Sequence, residues 1–216
     1  MRSDFRLLSA AEFMLAAAIV VAHNVWHVVP NEVPILALAA LVSVRLRRGG
    51  WAALGFRRPD SWIRVILIAL AAAALRLIVS DPIEAALTPL WGAPATSSVV
   101  TAGPHDARWL IATLALVWTF AAFGEEISYR GYLTLRGAEA LGGSKTAWAA
   151  ATVAAALLFG LGHYYKGPVG MVDSGVAGLI LGAAYMLSGR CLWTTILAHG
   201  LIDTTGVLLL YSGLAS

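Results

Sequence analysis

Charge is scarce in this chain. Asp, Glu, Lys and Arg make up 12% of its 216 residues, against about 25% in an ordinary soluble domain. With 59% hydrophobic residues and a mean hydropathy of +0.78, a water-soluble globular protein is excluded. Acidic residues are the scarcer sign, 12 against 15 Lys+Arg. The net charge of +3 and the pI near 9.3 come from arginines set between apolar runs, a pattern of membrane topology, so no nucleic-acid partner is expected. A single cysteine, Cys191, excludes an internal disulfide and any CxxC metal or redox motif; we expect an inert interfacial thiol. There is no repeat of 20 to 50 residues and no low-complexity tract, and GxSxG, HExxH and paired-aspartate motifs are all missing.

What the chain does have is long apolar runs, at about residues 8–29, 33–46, 63–79, 108–141, 145–164, 169–188 and 191–211. A span needs about 20 apolar residues, and only a helical bundle or a closed barrel satisfies its backbone in lipid. Continuous Ala- and Leu-rich runs favour helices. The expected fold is therefore all-α, a polytopic bundle of about seven transmembrane helices filling residues 1–216 as one integral membrane domain. The first run follows Arg2 and Arg6 like a secretion signal, but it is too long and lacks a small-residue cleavage site, so it is read as a helix. Breaks fall at Pro30-Asn31-Glu32, Arg47-Arg48-Gly49-Gly50, Gly142-Gly143 and Ser188-Gly189-Arg190. Residues 80–107, with four prolines, read as an irregular external segment.

Lys and Arg collect on cytoplasmic loops. An inside N-terminus puts Arg2, Arg6, Arg45, Arg47, Arg48, Arg57, Arg58, Arg64, Arg136, Lys145 and Arg190 at inside ends, and only Arg76, Arg108 and Lys166 outside. The bias supports an inside N-terminus and an outside C-terminus.

Ionisable groups inside a span cost about 2.5–3.5 kcal/mol each on insertion scales and mark function or a buried pair. They concentrate in the last four helices. Glu126 and Arg130 are i and i+4 on one face and can neutralise each other. Glu125, about 100° around the helix, has no cation at i+3 or i+4 and is free to act. His199 and Asp203, again i and i+4, point the same way. Glu125 and His163 flank the Gly142-Gly143 turn almost symmetrically, about 27–30 Å from it, which places them opposite each other on antiparallel helices. His199, only about 15 Å beyond the Gly189 turn, matches that depth only if the Gly142 end protrudes, or if tilt or a broken helix closes the gap. A carboxylate with a histidine can hold and deprotonate a water, and a second polar pair can stabilise the oxyanion formed when it attacks an amide.

Glu125-Glu126-x-x-x-Arg130, then Phe159-x-x-x-His163, then His199-x-x-x-Asp203 resembles the CPBP family of CAAX proteases and bacteriocin-processing enzymes, also called the Abi family. The resemblance covers about residues 108–211, the expected catalytic core, and Leu54-Gly55-Phe56-Arg57-Arg58-Pro59 resembles the family's arginine-rich loop. It implies an intramembrane endopeptidase in which Glu125 and His163 activate water, His199 with Asp203 stabilises the oxyanion, and Glu126 pairs with Arg130 as structural support. Phe159 is read as packing. The family often has Asn at the last position, a donor, whereas an ionised Asp203 only accepts; it either takes up a proton or orients His199 and holds it as imidazolium. Glu125, His163, His199 and Asp203 could also ligate Zn²⁺, but a metal-free mechanism with no cofactor is favoured.

The resemblance further implies a membrane-anchored or membrane-proximal peptide or protein substrate, the lipid bilayer as partner, and the bacterial inner membrane as location. Two other functions fit the same polar cluster: a non-enzymatic scaffold or immunity protein that keeps it for folding, and a proton- or metal-coupled transporter. The latter predicts inverted repeats, which are missing. Outside the core, His23 and His27 share i, i+4 spacing and are read as packing or interfacial. Asp173 is read as interfacial and Gly178-x-x-x-Gly182 as a small-residue packing motif.

Overall fold

The computed structural model describes residues 3–47, 49–95 and 106–214. These form seven helices: α1 (Ser3–Asn24), α2 (Glu32–Leu46), α3 (Trp62–Trp91), α4 (Ala107–Ala140), α5 (Lys145–Leu161), α6 (Gly167–Leu187) and α7 (Leu192–Tyr211). Among the described residues α1, α3, α4, α6 and α7 are long and apolar enough to cross a membrane. α2 has only 15 residues and α5 17, about 22 and 25 Å at the α-helical rise. Bulky apolar side chains face outward on several of these helices; Ile63, Ile78, Ile111 and Leu157 are each about 70% exposed. That surface suits lipid and not water, and the protein is an integral membrane protein.

Polar caps set the helix starts. Side-chain oxygens of Asn31, Ser61, Asp106 and Ser144 accept from the backbone N–H of Val33, Arg64, Trp109 and Ala147, satisfying donors that a helix leaves orphaned at its first turn. The α4–α5 turn rests on Gly142 and Gly143, both at positive φ, where a side chain would be strained.

The structure differs from the sequence reading in several places. The segment 80–107 is not irregular at its start, because α3 continues through Pro82 and Pro89 to Trp91; residues 96–105 lie outside the described set. α1 ends at Asn24, so His27, at φ +53° beyond it, shares no helix face with His23. Asp173 is buried, not interfacial: it accepts from Arg76 at 2.5 Å and from Ser80 at 3.2 Å, tying α6 to α3. Cys191 is likewise buried, at the start of α7.

α4 is the central element, and its middle is unusual. From Val117 to Leu133 the backbone is a π-helix, a form that is rare and mostly confined to single turns at functional sites. Packing more residues into each turn shortens the element relative to an α-helix of equal length. A broken helix is one of the routes open for bringing His199 to the depth of Glu125, and α4 carries such a break. α5 and α6 approach closely through glycine: a Cβ on Gly160 would lie 2.6 Å from the Met171 carbonyl oxygen, and on Gly182 2.4 Å from a Thr152 methyl. Small residues at such crossings replace a hydrophobic drive that lipid does not supply.

At one end of the bundle a charge network joins α1, α2 and α4. Arg47 pairs with Glu12 at 2.5 Å and Glu139 at 3.3 Å; Arg136 pairs with the same two carboxylates at 2.8 and 2.7 Å. Ser9 and Ser43 add hydrogen bonds to Glu139 and Glu12. Two cations and two anions cancel, which makes their burial tolerable. Removing one buried partner strands the others. Arg136→Gln is therefore expected to cost about 3 kcal/mol, read as a lowered thermal unfolding midpoint of the detergent-solubilised protein. Arg6→Gln, which removes only an exposed bond to the Ala140 carbonyl, should shift it little; equal effects would show that the network does not stabilise the fold.

Candidate active site

α4 and α7 are held together by a missing side chain. A Cβ on Gly200 would lie 2.5 Å from the Trp118 ring, so only glycine lets the indole lie flat on α7. The Trp118 indole N–H then donates to Thr204 Oγ1 at 3.2 Å. This crossing brings His199, the residue before Gly200, against the two glutamates of α4.

Glu126 is fully buried. Its Oε1 accepts from Arg130 Nη1 at 2.8 Å and lies 2.8 Å from His199 Nδ1. The i, i+4 pair expected from the sequence is thus present, and the same oxygen also takes the imidazole of α7. With Nδ1–H donated to Glu126, Nε2 of His199 is the atom turned toward the other carboxylates. It lies 3.5 Å from Asp203 Oδ2 and 3.9 Å from Glu125 Oε2. Glu125 Oε2 is itself buried and has no hydrogen-bond partner. A carboxylate oxygen buried without a partner is rare enough to require an explanation.

His163 lies just past the end of α5 at Leu161, not within a helix as the apolar run implied. Its Nδ1–H donates to the Phe159 carbonyl at 2.8 Å, which leaves Nε2 as the lone-pair nitrogen. Phe159, 3% exposed, stands between the two histidines, its ring centroid 4.8 Å from that of His163 and 6.0 Å from that of His199. The Arg130 guanidinium lies 4.4 Å over the same ring. Glu125, Glu126, His199 and Asp203 therefore form one contiguous group, and His163 joins it across Phe159 without a direct hydrogen bond or ion pair to Glu125.

A second polar cluster, not foreseen from the sequence, abuts the site. Glu32, read only as part of a break between helices, is 5% exposed at the start of α2. It accepts from Tyr129 Oη at 3.3 Å and Asn24 Nδ2 at 3.2 Å, and pairs with His23 Nε2 at 3.2 Å. A Cβ on Gly162 would lie 2.7 Å from the Tyr129 hydroxyl, so this cluster packs directly behind His163.

The donor set does not converge as a zinc site does. Among the described residues no group of three or more His, Cys, Asp or Glu side chains is placed to hold a metal ion. His163 is set apart from the other candidate ligands by Phe159.

Residues 107–205 match the family model described as type II CAAX prenyl endopeptidase Rce1-like. That segment is similar to the Rce1-like proteins of the CPBP family. The match begins at the start of α4, ends within α7 and contains Glu125, Glu126, Arg130, Phe159, His163, His199 and Asp203; the family association supports a CAAX-protease-like peptidase. No curated protein and no solved structure matches the chain.

Within this Rce1-like core the two adjacent glutamates have opposite surroundings, and stability measurements should separate them. Glu126→Gln weakens the partners of both Arg130 and His199 and should cost about 3–5 kcal/mol. Glu125→Gln disturbs no hydrogen bond and should leave membrane yield and unfolding midpoint nearly unchanged. The reverse order would exchange the two assignments.

Proposed function

We propose that the protein is an intramembrane endopeptidase of the glutamate type, hydrolysing a peptide bond of a membrane-anchored or membrane-proximal substrate. The observation that carries this reading is the unpartnered, buried Oε2 of Glu125 beside His199. A gap of 3.9 Å between polar atoms is too long for a direct bond and suits groups that meet through water or substrate.

In this reading Glu125 takes a proton from a water, whose oxygen attacks the scissile carbonyl carbon. The carbonyl π electrons move to oxygen, and the oxyanion is met by His199, held as imidazolium with Nε2–H available because Glu126 fixes Nδ1. Asp203 orients that ring. When the oxyanion collapses, the C–N bond breaks, and Glu125 returns its proton to the leaving amine. His163, with Nε2 unprotonated, accepts a hydrogen bond from the water or the incoming chain. Phe159 keeps the histidines apart and carries Arg130 on its face. The mechanism as written uses no metal, and bound zinc is the alternative that its tests distinguish. The charge bias of the loops supports an inside N-terminus, and we assign the protein to a bacterial inner membrane.

A general base contributes about 10²–10⁴ in rate, so Glu125→Gln should lower processing by that factor with the protein still folded. Comparing protein termini from cells carrying wild-type and Glu125→Gln chains would report substrate, cleavage position and side of the membrane. Identical termini despite equal membrane yields would leave the scaffold reading. Asp203→Asn keeps the shape and should lower activity by less than about tenfold, including in strong chelators. Stoichiometric zinc in the purified wild type, lost together with activity in Asp203→Asn, would overturn the metal-free mechanism.

A further inference from the structure

The connection between α2 and α3 folds as a 3₁₀ turn, Trp51–Leu54, and ends on Gly55 at φ +101°. A Cβ there would lie 2.8 Å from the Arg190 carbonyl oxygen, and the Gly55 carbonyl accepts from Leu192 N–H at 3.1 Å. The arginine-rich connection is thereby clamped onto the α6–α7 turn. That turn holds Arg190 at φ +67°, a left-handed conformation uncommon for any residue with a side chain. Its guanidinium lies 4.3 Å from the centre of the Trp148 ring. Arg57 arrives from the opposite side, with Nη2 2.9 Å from where a Cβ on Gly189 would stand. Between the two connections lies a cavity of about 260 Å³, lined by both arginines, Tyr185 and Trp148.

Among the described residues neither guanidinium has a carboxylate at ion-pair distance or a hydrogen-bond acceptor. Arg47, Arg76, Arg130 and Arg136 all have carboxylate partners. Arg45, Arg58 and Arg108 also lack them, but none lines this cavity. Two like charges facing one cavity repel until an anion enters, and planar guanidinium forks match phosphate oxygens in pairs. Trp51 and Trp62 flank the arginines and are 56% and 48% exposed; exposed tryptophan beside arginine marks the level of lipid headgroups. The cavity is also smaller than the roughly 300–1,000 Å³ that takes drug-sized ligands, and suits a headgroup.

We propose that this cavity is an anion site that binds a phosphate group through Arg57 and Arg190. The group can come from an anionic phospholipid or from free phosphate, and the site is independent of the proteolytic reading.

Full-length protein in detergent, examined by native mass spectrometry with phosphatidylglycerol or phosphatidylcholine and by thermal unfolding with inorganic phosphate, tests this. Wild type should retain phosphatidylglycerol over phosphatidylcholine by about tenfold or more, since each arginine near an anionic headgroup is worth about that factor's larger part. Arg57→Gln/Arg190→Gln should abolish the preference, Arg57→Lys should keep part of it, and the controls Arg45→Gln and Arg58→Gln should retain it. Stabilisation by inorganic phosphate that the double variant loses, without lipid preference, would assign the site to soluble phosphate. Should the double variant fail to fold, the wild-type measurements and Arg57→Lys decide alone. A wild type without lipid preference or phosphate stabilisation overturns the proposal, as does a double variant that matches the controls.

Discussion

The Oε1 oxygen of Glu126 is the point on which the core formed by α4, α5, α6 and α7 is assembled. A carboxylate with no solvent exposure must meet its counter-charge inside the protein, because an unpaired ion there costs several kcal/mol even after relaxation. Arg130 supplies that charge from the same helix, and His199 ties the pair to α7. Arg130 in turn lies on the face of Phe159 and donates to the Gly178 carbonyl at 3.3 Å, so α5 and α6 are drawn to the same centre. Four helices are thus positioned around one ionised group, and the glycines at 160, 178, 182 and 200 allow the approach that those bonds require.

The same constraint explains where the remaining charges sit. Asp173 and Arg76 join α6 to α3; Glu12, Arg47, Arg136 and Glu139 join α1, α2 and α4; Glu32 gathers Asn24, His23 and Tyr129 between α1, α2 and α4. Each of these carboxylates has a cation or a hydrogen-bond donor beside it within the protein. Buried polar groups of this kind hold helices in a fixed register, which matters in a lipid-facing bundle, where burying apolar side chains against each other offers little advantage over leaving them in lipid. Glu125 is different. Among the described residues its side chain makes no hydrogen bond, whereas Glu126 takes two at Oε1 and leaves only Oε2 without a partner. In the proposed mechanism that contrast distinguishes the carboxylate used for chemistry from the one used for structure.

Much of this was legible in the sequence because the signals were local. Helix number follows from runs of apolar residues, and the Glu126–Arg130 and His199–Asp203 relations follow from i, i+4 spacing. The unread parts depend on contacts distant in sequence or on backbone departures without a compositional mark. His199 reaches Glu126 across 73 residues, and nothing in either motif states which glutamate the imidazole chooses. The π-helical stretch was foreseeable only as a broken helix, one of several ways of relieving the expected mismatch in depth. Glu32 was hidden by its position at a helix start, where an acidic residue ordinarily reports only a favourable helix end. The extension of α3 through Pro82 and Pro89 shows the opposite error, proline being read as a stop where the helix continues.

Phe159 gives the site its last feature. With His163 on one side and His199 on the other, the ring prevents the two imidazoles from pairing with each other or from closing on one ion. The Nδ1–H of His163 is held by the Phe159 carbonyl, and that of His199 by Glu126, so each ring has a fixed orientation and presents Nε2. A site whose polar groups satisfied one another would be stable and inert. Here the intrahelical and interhelical bonds fix the rings, and Glu125 Oε2 and the two Nε2 atoms are left without direct hydrogen bonds to one another. Those bonding positions lie within the segment that matches the Rce1-like family model, and a bridging water spans polar gaps of this length.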